Sequence, residues 1–341
     1  MITTDMEFKF AYKIGHNLEL SINEFDSLTK DLDFTNNNNY IFSNHDLDIN
    51  TTGSIVFKAI IHRGYPETLP KKIGFVSKGS KGYIMNKLKA LGAKKINLTD
   101  QLPNIGQIKY VKNWFIDYGK EVFEIVQYYD QELWSKIDMN LPSKDMKRGI
   151  INLKLARSMN NLTDYKKIYD PFAGLGRNAI ASFDSDKHFI LSDNDQTTEE
   201  LMNKNIAYIK KYENCNFNVE KIFIRDAQYI NSEFEEDFAI VTEGYLTDSA
   251  NAILYQNQIE KRMYEIKDFW LETLKNWSRL ENLKEVVLTL PFFITKEEDF
   301  FWDIEKDLPE AWSLAVFKNS NYIFYKRKET RIGHMIIKLI K

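Results

Sequence analysis

The chain has 341 residues, a formal net charge of -3, 43% hydrophobic and 14% aromatic content. That is longer than one ordinary domain and supplies apolar material for more than one core, while the near-neutral total gives no hint of a polyanionic partner. One cysteine, Cys215, excludes an internal disulfide, and with neither a leader-like segment nor an apolar run of membrane-spanning length, a cytoplasmic protein with no membrane attachment is expected.

From the N-terminus, Tyr12-Lys13-Ile14 followed by Leu18-Glu19-Leu20 reads as a strand and then a helix, and the four asparagines of 36–39 as a polar turn. Residues 58–112 then hold twelve lysines and arginines against Glu67 and Asp100, a surplus of ten positive charges between acidic flanks. Lys71, Lys72, Lys78, Lys81, Lys87, Lys89, Lys94 and Lys95 fall beside a predicted helix over 82–91 and a strand over 95–98. A basic face on a small module of this kind suits the phosphates of folded RNA; it equally suits a solvated lysine-rich surface. Residues 1–129 are therefore read as an N-terminal α+β region, 130–165 as a connecting and lead-in helix, and 166–341 as a second domain. Within the lead-in, Leu153, Leu155, Ala156 and Met159 have the spacing of an amphipathic core stripe.

The second domain opens on the most informative run in the chain. Apolar Ile168-Tyr169 leads into Asp170-Pro171-Phe172-Ala173-Gly174-Leu175-Gly176, and a helix over 177–183 is predicted to follow. Strand, glycine turn and helix are the order a nucleotide-type pocket needs, because Gly174 and Gly176 let the chain turn sharply and a ligand approach the main chain. The dinucleotide fingerprint G-x-G-x-x-G fits poorly, since Ala179 or Ile180 would have to replace the third glycine. Asp193 closes the next strand, where a carboxylate can accept from ribose hydroxyls, although it also reads as a turn acid beside Asn194 and Asp195. A third strand over 221–224 ends at Arg225-Asp226, and a fourth over 237–241 delivers Thr242-Glu243-Gly244-Tyr245-Leu246 to the carboxyl end of the sheet. Beyond them lie a long amphipathic helix over 252–280 with Trp270 and Trp277 on one face, a strand over 285–291 and a charged helix. An antiparallel pair, 312–317 with 322–326, joined at Asn319-Ser320-Asn321, completes the expected elements. The five histidines are scattered, and no metal is assigned.

Asp170-Pro171-Phe172-Ala173-Gly174-Leu175-Gly176 resembles the first motif of class I S-adenosylmethionine-dependent methyltransferases, in the D-P-F-x-G-x-G form of enzymes that methylate exocyclic amines of nucleobases. Trp134, Arg148-Gly149, the lead-in segment Asn152-Leu153-Lys154-Leu155-Ala156-Arg157, the opening residues 12–24, and the tail Tyr322-Ile323-Phe324-Tyr325-Lys326-Arg327 with Arg331-Ile332-Gly333-His334 are similar to THUMP-type tRNA guanine-10 exocyclic-amine (N2) methyltransferases. The resemblance implies a Rossmann-like α/β sheet, mostly parallel with an antiparallel C-terminal hairpin, behind a THUMP-like RNA-binding region. It implies S-adenosyl-L-methionine as cofactor, held by Asp170, Phe172, Gly174, Gly176, Asp193 at the ribose and Asp226 at the adenine amine. It further implies tRNA as substrate, bound through the basic segment near Lys71 to Lys95, and admits a small activator subunit. Glu243 and Tyr245 would be catalytic, standing where the family carries [Asp/Asn]-Pro-Pro-[Tyr/Phe]; this chain departs from that pattern with Glu243, Gly244 and no proline pair. An Asp-Pro replacement at 243 and 244 is expected to preserve a working loop. Two other readings stay open: a DNA amino-methyltransferase, and a catalytically silent RNA-binding protein that keeps the fold.

Overall fold

A computed structural model describes residues 8–30, 33–144, 151–212, 215–231, 234–245, 256–295, 298–318, 320–326 and 330–341. Arg148, Gly149, Leu246, Asn319 and Arg327 lie outside these. The chain forms two compact units, Met1–Leu18 with Thr29–Lys136, and Glu19–Leu28 with Ile137–Lys341.

The first unit is an eight-stranded mixed sheet built from β1 (Phe10–Ile14), β2 (Phe34–Asn36), β3 (Tyr40–Ser43), β4 (Ile55–Arg63), β5 (Lys72–Val76), β6 (Lys95–Thr99), β7 (Trp114–Tyr118) and β8 (Glu121–Tyr128), in the order β2-β3-β1-β4-β8-β7-β5-β6. Most neighbours are antiparallel, but β5 is parallel to both β6 and β7. Helix α2 (Lys81–Ala90) connects β5 to β6 and buries Ile84 and Leu88 against Ile73 and Phe75, while Tyr40, Phe42, Phe57, Trp114 and Phe123 fill the neighbouring core.

The second unit carries the strands expected to hold a site. β9 (Lys167–Asp170), β10 (His188–Asp193), β11 (Asn218–Ile224), β12 (Phe238–Thr242), β13 (Leu283–Ile294), β15 (Ser313–Leu314) and β17 (Ile332–Ile340) lie in the order β11-β10-β9-β12-β13-β17-β15, with β14 (Asp299–Phe300) on β13 and β16 (Ile323–Tyr325) on β17. The run from β11 to β13 is parallel. Its central strands are continuous apolar stretches, as befits strands covered on both faces: Ile168, Tyr169, Ile190, Leu191, Ala239, Ile240 and Val241 are all fully buried. Helix α8 (Gln256–Trp277) presents Ile259, Ile266, Trp270, Leu274 and Trp277 at helical spacing to this core, and the indole rings of Trp270 and Trp277 meet edge to face at 5.8 Å. No helix among the described residues is long and apolar enough to cross a membrane.

Three local expectations are corrected. The helix after the glycine turn, α6 (Arg177–Ile180), is one turn long, because the chain breaks into turns before Phe183. The charged segment after β13 forms the short strand β14 and a single 3-10 turn at Ile304–Lys306 in place of a helix. The terminal antiparallel pairing is not 312–317 with 322–326: β15 and β16 each pair with β17, which in turn runs antiparallel to β13 over nine residue pairs from Glu285↔Ile340 to Phe293↔Ile332. Ten residues of α1 (Leu18–Thr29) also pack with the second unit, where Asn161 Nδ2 donates to Glu24 Oε1 at 2.7 Å and Lys318 Nζ pairs with Asp26 Oδ1 at 2.8 Å.

The lead-in helix α5 (Leu153–Asn161) buries Leu153, Leu155, Ala156 and Met159 as its stripe requires, together with Arg157. That guanidinium donates Nη1 and Nη2 to Asp184 Oδ1 and Oδ2 at 2.7 and 3.2 Å, and Nη1 again to the Ala181 carbonyl at 2.9 Å. It thereby clamps the turn that follows α6. Arg157→Ala is expected to cost on the order of 3 kcal/mol, because a carboxylate is left without its partner; Arg157→Lys should recover little, since one ammonium cannot reproduce the fork. Urea unfolding of the three proteins checks this, and equal midpoints would contradict the clamp.

Candidate active site

β9 and β12 pair through the backbone only at Ala239↔Ile168 and Ile240↔Tyr169. Beyond that point the two strands part, and side chains hold the opening. Thr242 Oγ1 donates to Asp170 Oδ1 at 2.7 Å, and Asn178 Nδ2, from α6, donates to the Val241 carbonyl at 2.6 Å. Because β10 lies on one side of β9 and β12 on the other, this is the switch point of the sheet, where open α/β folds place their ligands. Burial pushes the Asp170 carboxyl up to about 7; donors from Thr242 and the Phe172 N–H oppose the shift, and the nearby Asp193 charge adds to it.

The glycine turn wraps the end of β9. Ala173 N–H donates to the Ser192 carbonyl at 2.9 Å, and Gly176 N–H to the Ala173 carbonyl at 2.7 Å. Gly174 and Gly176 have φ of +51° and +75°, so both glycines are used for left-handed backbone, and a Cβ added at Gly174 would meet nothing within 4 Å. Asp193, half-buried at the end of β10, accepts from Gly174 N–H at Oδ2 (2.9 Å) and from Asp195 N–H at Oδ1 (3.0 Å). Each oxygen has bound one backbone donor and keeps a lone pair for another. On the next strand Arg225 N–H donates to the Asp193 carbonyl at 2.9 Å, and the exposed Asp226 accepts from Gln228 N–H at 2.9 Å.

On the other side of β9, Glu243-Gly244-Tyr245 leaves β12. Thr289 Oγ1, from β13, donates to the Glu243 carbonyl, and Glu243 Oε1 lies 3.6 Å from Nδ1 of His334 on β17. Gly244 has φ +65°, and an added Cβ would sit 2.5 Å from Trp270 Cζ2 and 3.3 Å from the Thr289 carbonyl. Proline is restricted to φ near -65°. The expectation that an Asp-Pro replacement preserves this loop is therefore overturned: the α8 indole occupies the space a ring at 244 would need. Tyr245 is 44% exposed, and its ring packs 5.8 Å from Phe269, which with Trp270 also flanks the half-buried Phe172 at 6.0 and 5.5 Å. The structure thus places the residues singled out from sequence at the carboxyl ends of four adjacent strands. In the sequence Gly333-His334 is only part of the tail; nothing there marks the approach to Glu243, which depends on the β13–β17 register.

Solved structures were matched over nearly the whole chain. TrmN from Thermus thermophilus superposes with a TM-score of 0.52 at 11% identity, covering 97% of this chain and 99% of that one. A possible methylase from Clostridium difficile 630 gives 0.47 at 11% identity over 97% and 98%, and SMU.472, solved in complex with SAH, gives 0.45 at 10% identity over 98% of both chains. No family model matches the sequence, and no curated protein matches it. The likeness to TrmN establishes a shared fold, and the chain has the Rossmann-like class I methyltransferase architecture expected from its sequence.

Two expected outcomes follow from this geometry. Gly244→Ala should lose about 2–4 kcal/mol in equilibrium unfolding, the summed cost of a left-handed alanine and an overpacked contact; wild-type stability would show that Trp270 does not confine the loop. Asp170 binds its proton more tightly folded than unfolded, so its contribution to stability is complete below about pH 4 and is lost as pH rises through about 7. Asp170→Asn keeps an Oδ1 acceptor for Thr242 and cannot ionise, so its stability relative to wild type should increase between pH 5 and pH 8. A pH-independent difference would contradict the buried acid.

Proposed function

We propose that this chain is an S-adenosylmethionine-dependent methyltransferase that modifies an exocyclic amine of a base in RNA, with a guanine of tRNA as the substrate. The observation that carries the reading is the arrangement at the β9 switch point: a glycine turn and ribose-height carboxylate on one side, an acid and an exposed aromatic ring on the other. The donor set fits the cofactor. Asp193 has acceptor capacity for ribose hydroxyls beside the open space at Gly174, and Asp226 stands one strand further out, where an adenine amine could donate to it. Phe172 and the buried Asp170 shape the floor. When bound, the cofactor supplies an electrophilic methyl group. The chain's own contribution is orientation: Glu243 accepts a hydrogen bond from the amine and draws its lone pair forward, and Tyr245 holds the base by its face. The base has to be unpaired or flipped to reach them.

The RNA part of the reading is supported by the first unit. Lys94 N–H and Lys95 N–H both donate to the Lys71 carbonyl, at 2.9 and 2.8 Å, and so gather three exposed lysines at the amino ends of β5 and β6. None of the three is ion-paired among the described residues. Lys78 and Lys81 follow the opposite end of β5, roughly 15 Å away along five residues of strand, so the basic segment is not one continuous face. Near the first group Lys72 Nζ lies 3.7 Å from the centroid of Tyr110, which is 73% exposed. Lysines interleaved with an exposed ring suit phosphates and unpaired bases together.

Single-turnover transfer of labelled methyl from S-adenosylmethionine to unmodified tRNA and to DNA tests the proposal. Glu243→Ala should slow transfer by on the order of 10²–10³-fold, the scale of one lost oriented polar contact, with cofactor binding by calorimetry unchanged. Replacing Lys71, Lys94 and Lys95 by Ala should flatten the slope of log affinity against log salt by roughly two units if all three meet phosphates. Faster transfer to DNA favours the DNA enzyme; cofactor and RNA binding without transfer to either favours a silent protein; no cofactor binding removes the proposal.

A further inference from the structure

Glutamate is a loosely held choice for an acceptor that must be placed to within a fraction of an ångström, since it has one more rotatable bond than aspartate and costs more to fix. This chain has none of the proline stiffening that would offset it at 244. What it has is β17. There, Phe292 pairs with Gly333 and Pro291 with His334. A Cβ at Gly333 would lie 2.1 Å from Phe292 Cε1, so that ring lies directly over the strand, packed at 5.2 Å on Phe324. The next residue, His334, consequently projects from the opposite face, where its Nδ1 reaches 3.6 Å from Glu243 Oε1 with both side chains mostly buried. Of the other residues paired with His334, Pro291 brings no titratable group, and Tyr325 lies with its ring centroid 6.1 Å from the imidazole.

We propose that His334 is the positioning residue for Glu243: the imidazole, carrying a proton on Nδ1, attracts the carboxylate and selects the one side-chain conformation in which its other oxygen is presented to the amine. The role rests on the reading of Glu243 as the amine's acceptor; the pair itself does not. At 3.6 Å the contact is electrostatic, just beyond hydrogen-bond length, and tightening on ligand binding is ordinary for such groups.

The pair is tested in the full chain by NMR titration of the histidines, with His334 assigned from the spectrum of His334→Asn. In Glu243→Gln the midpoint of His334 should fall by about one unit, because a neighbouring carboxylate favours the imidazolium. An unchanged midpoint overturns the proposal. The positioning role is tested by single-turnover transfer: His334→Ala should slow the chemical step about tenfold, the scale of a small misplacement, with KM unchanged, and His334→Asn should restore most of the rate because its amide nitrogen can replace Nδ1. Equal losses in the two variants, both shown by thermal melting to be folded, also overturn it. A wild-type protein that transfers no methyl group but shows the titration shift removes the proposed function and leaves the pair standing.

Discussion

The hydrogen bond from Thr242 to the buried Asp170 is the constraint on which the site depends. Backbone pairing between β9 and β12 ends at Ile240↔Tyr169, so the sheet would be free to spread here. A side-chain bond inside an apolar core is strong for the same reason that leaving it unmade would be costly. It fixes the width of the crevice and aligns the departure of the glycine turn on one side with that of Glu243 on the other. Asn178 reinforces the same closure from the helix side through the Val241 carbonyl.

From that closure the two walls differ in how they are held. The Asp193 wall is fixed by backbone donors, Gly174 N–H and Asp195 N–H, and needs no side-chain partner. The Glu243 wall is fixed by side chains delivered from three other elements: Thr289 of β13 holds its carbonyl, Trp270 of α8 confines Gly244, and His334 of β17 faces its carboxylate. Glu243 and Gly244 are thus packed against three elements in a loop that lacks prolines, and the positive φ at Gly244 is part of the same arrangement.

This division explains what could be read from the sequence. Asp170, Gly174, Gly176, Asp193, Asp226 and Glu243 follow strands whose apolar runs are local signals, and their places at strand ends follow from order alone. Gly244 could not be understood that way, because its reason is an indole 26 residues further on. β17 is not legible as a strand although Met335-Ile336-Ile337 is apolar; a short apolar run does not declare its secondary structure, and its partner β13 begins 49 residues earlier. The same absence of long-range information hid the membership of α1 in the second unit and the splitting of the lysines between the two ends of β5.

The proposed function requires that the carboxyl edge around β9 bind S-adenosylmethionine. Hydrogen exchange of the full chain, followed by mass spectrometry with and without S-adenosylhomocysteine, tests it directly. Binding there should add protection confined to peptides spanning 170–176, 193–195, 225–228 and 242–245, where backbone N–H groups and their acceptors would meet the ligand. Protection elsewhere, or none at saturating ligand, would contradict it.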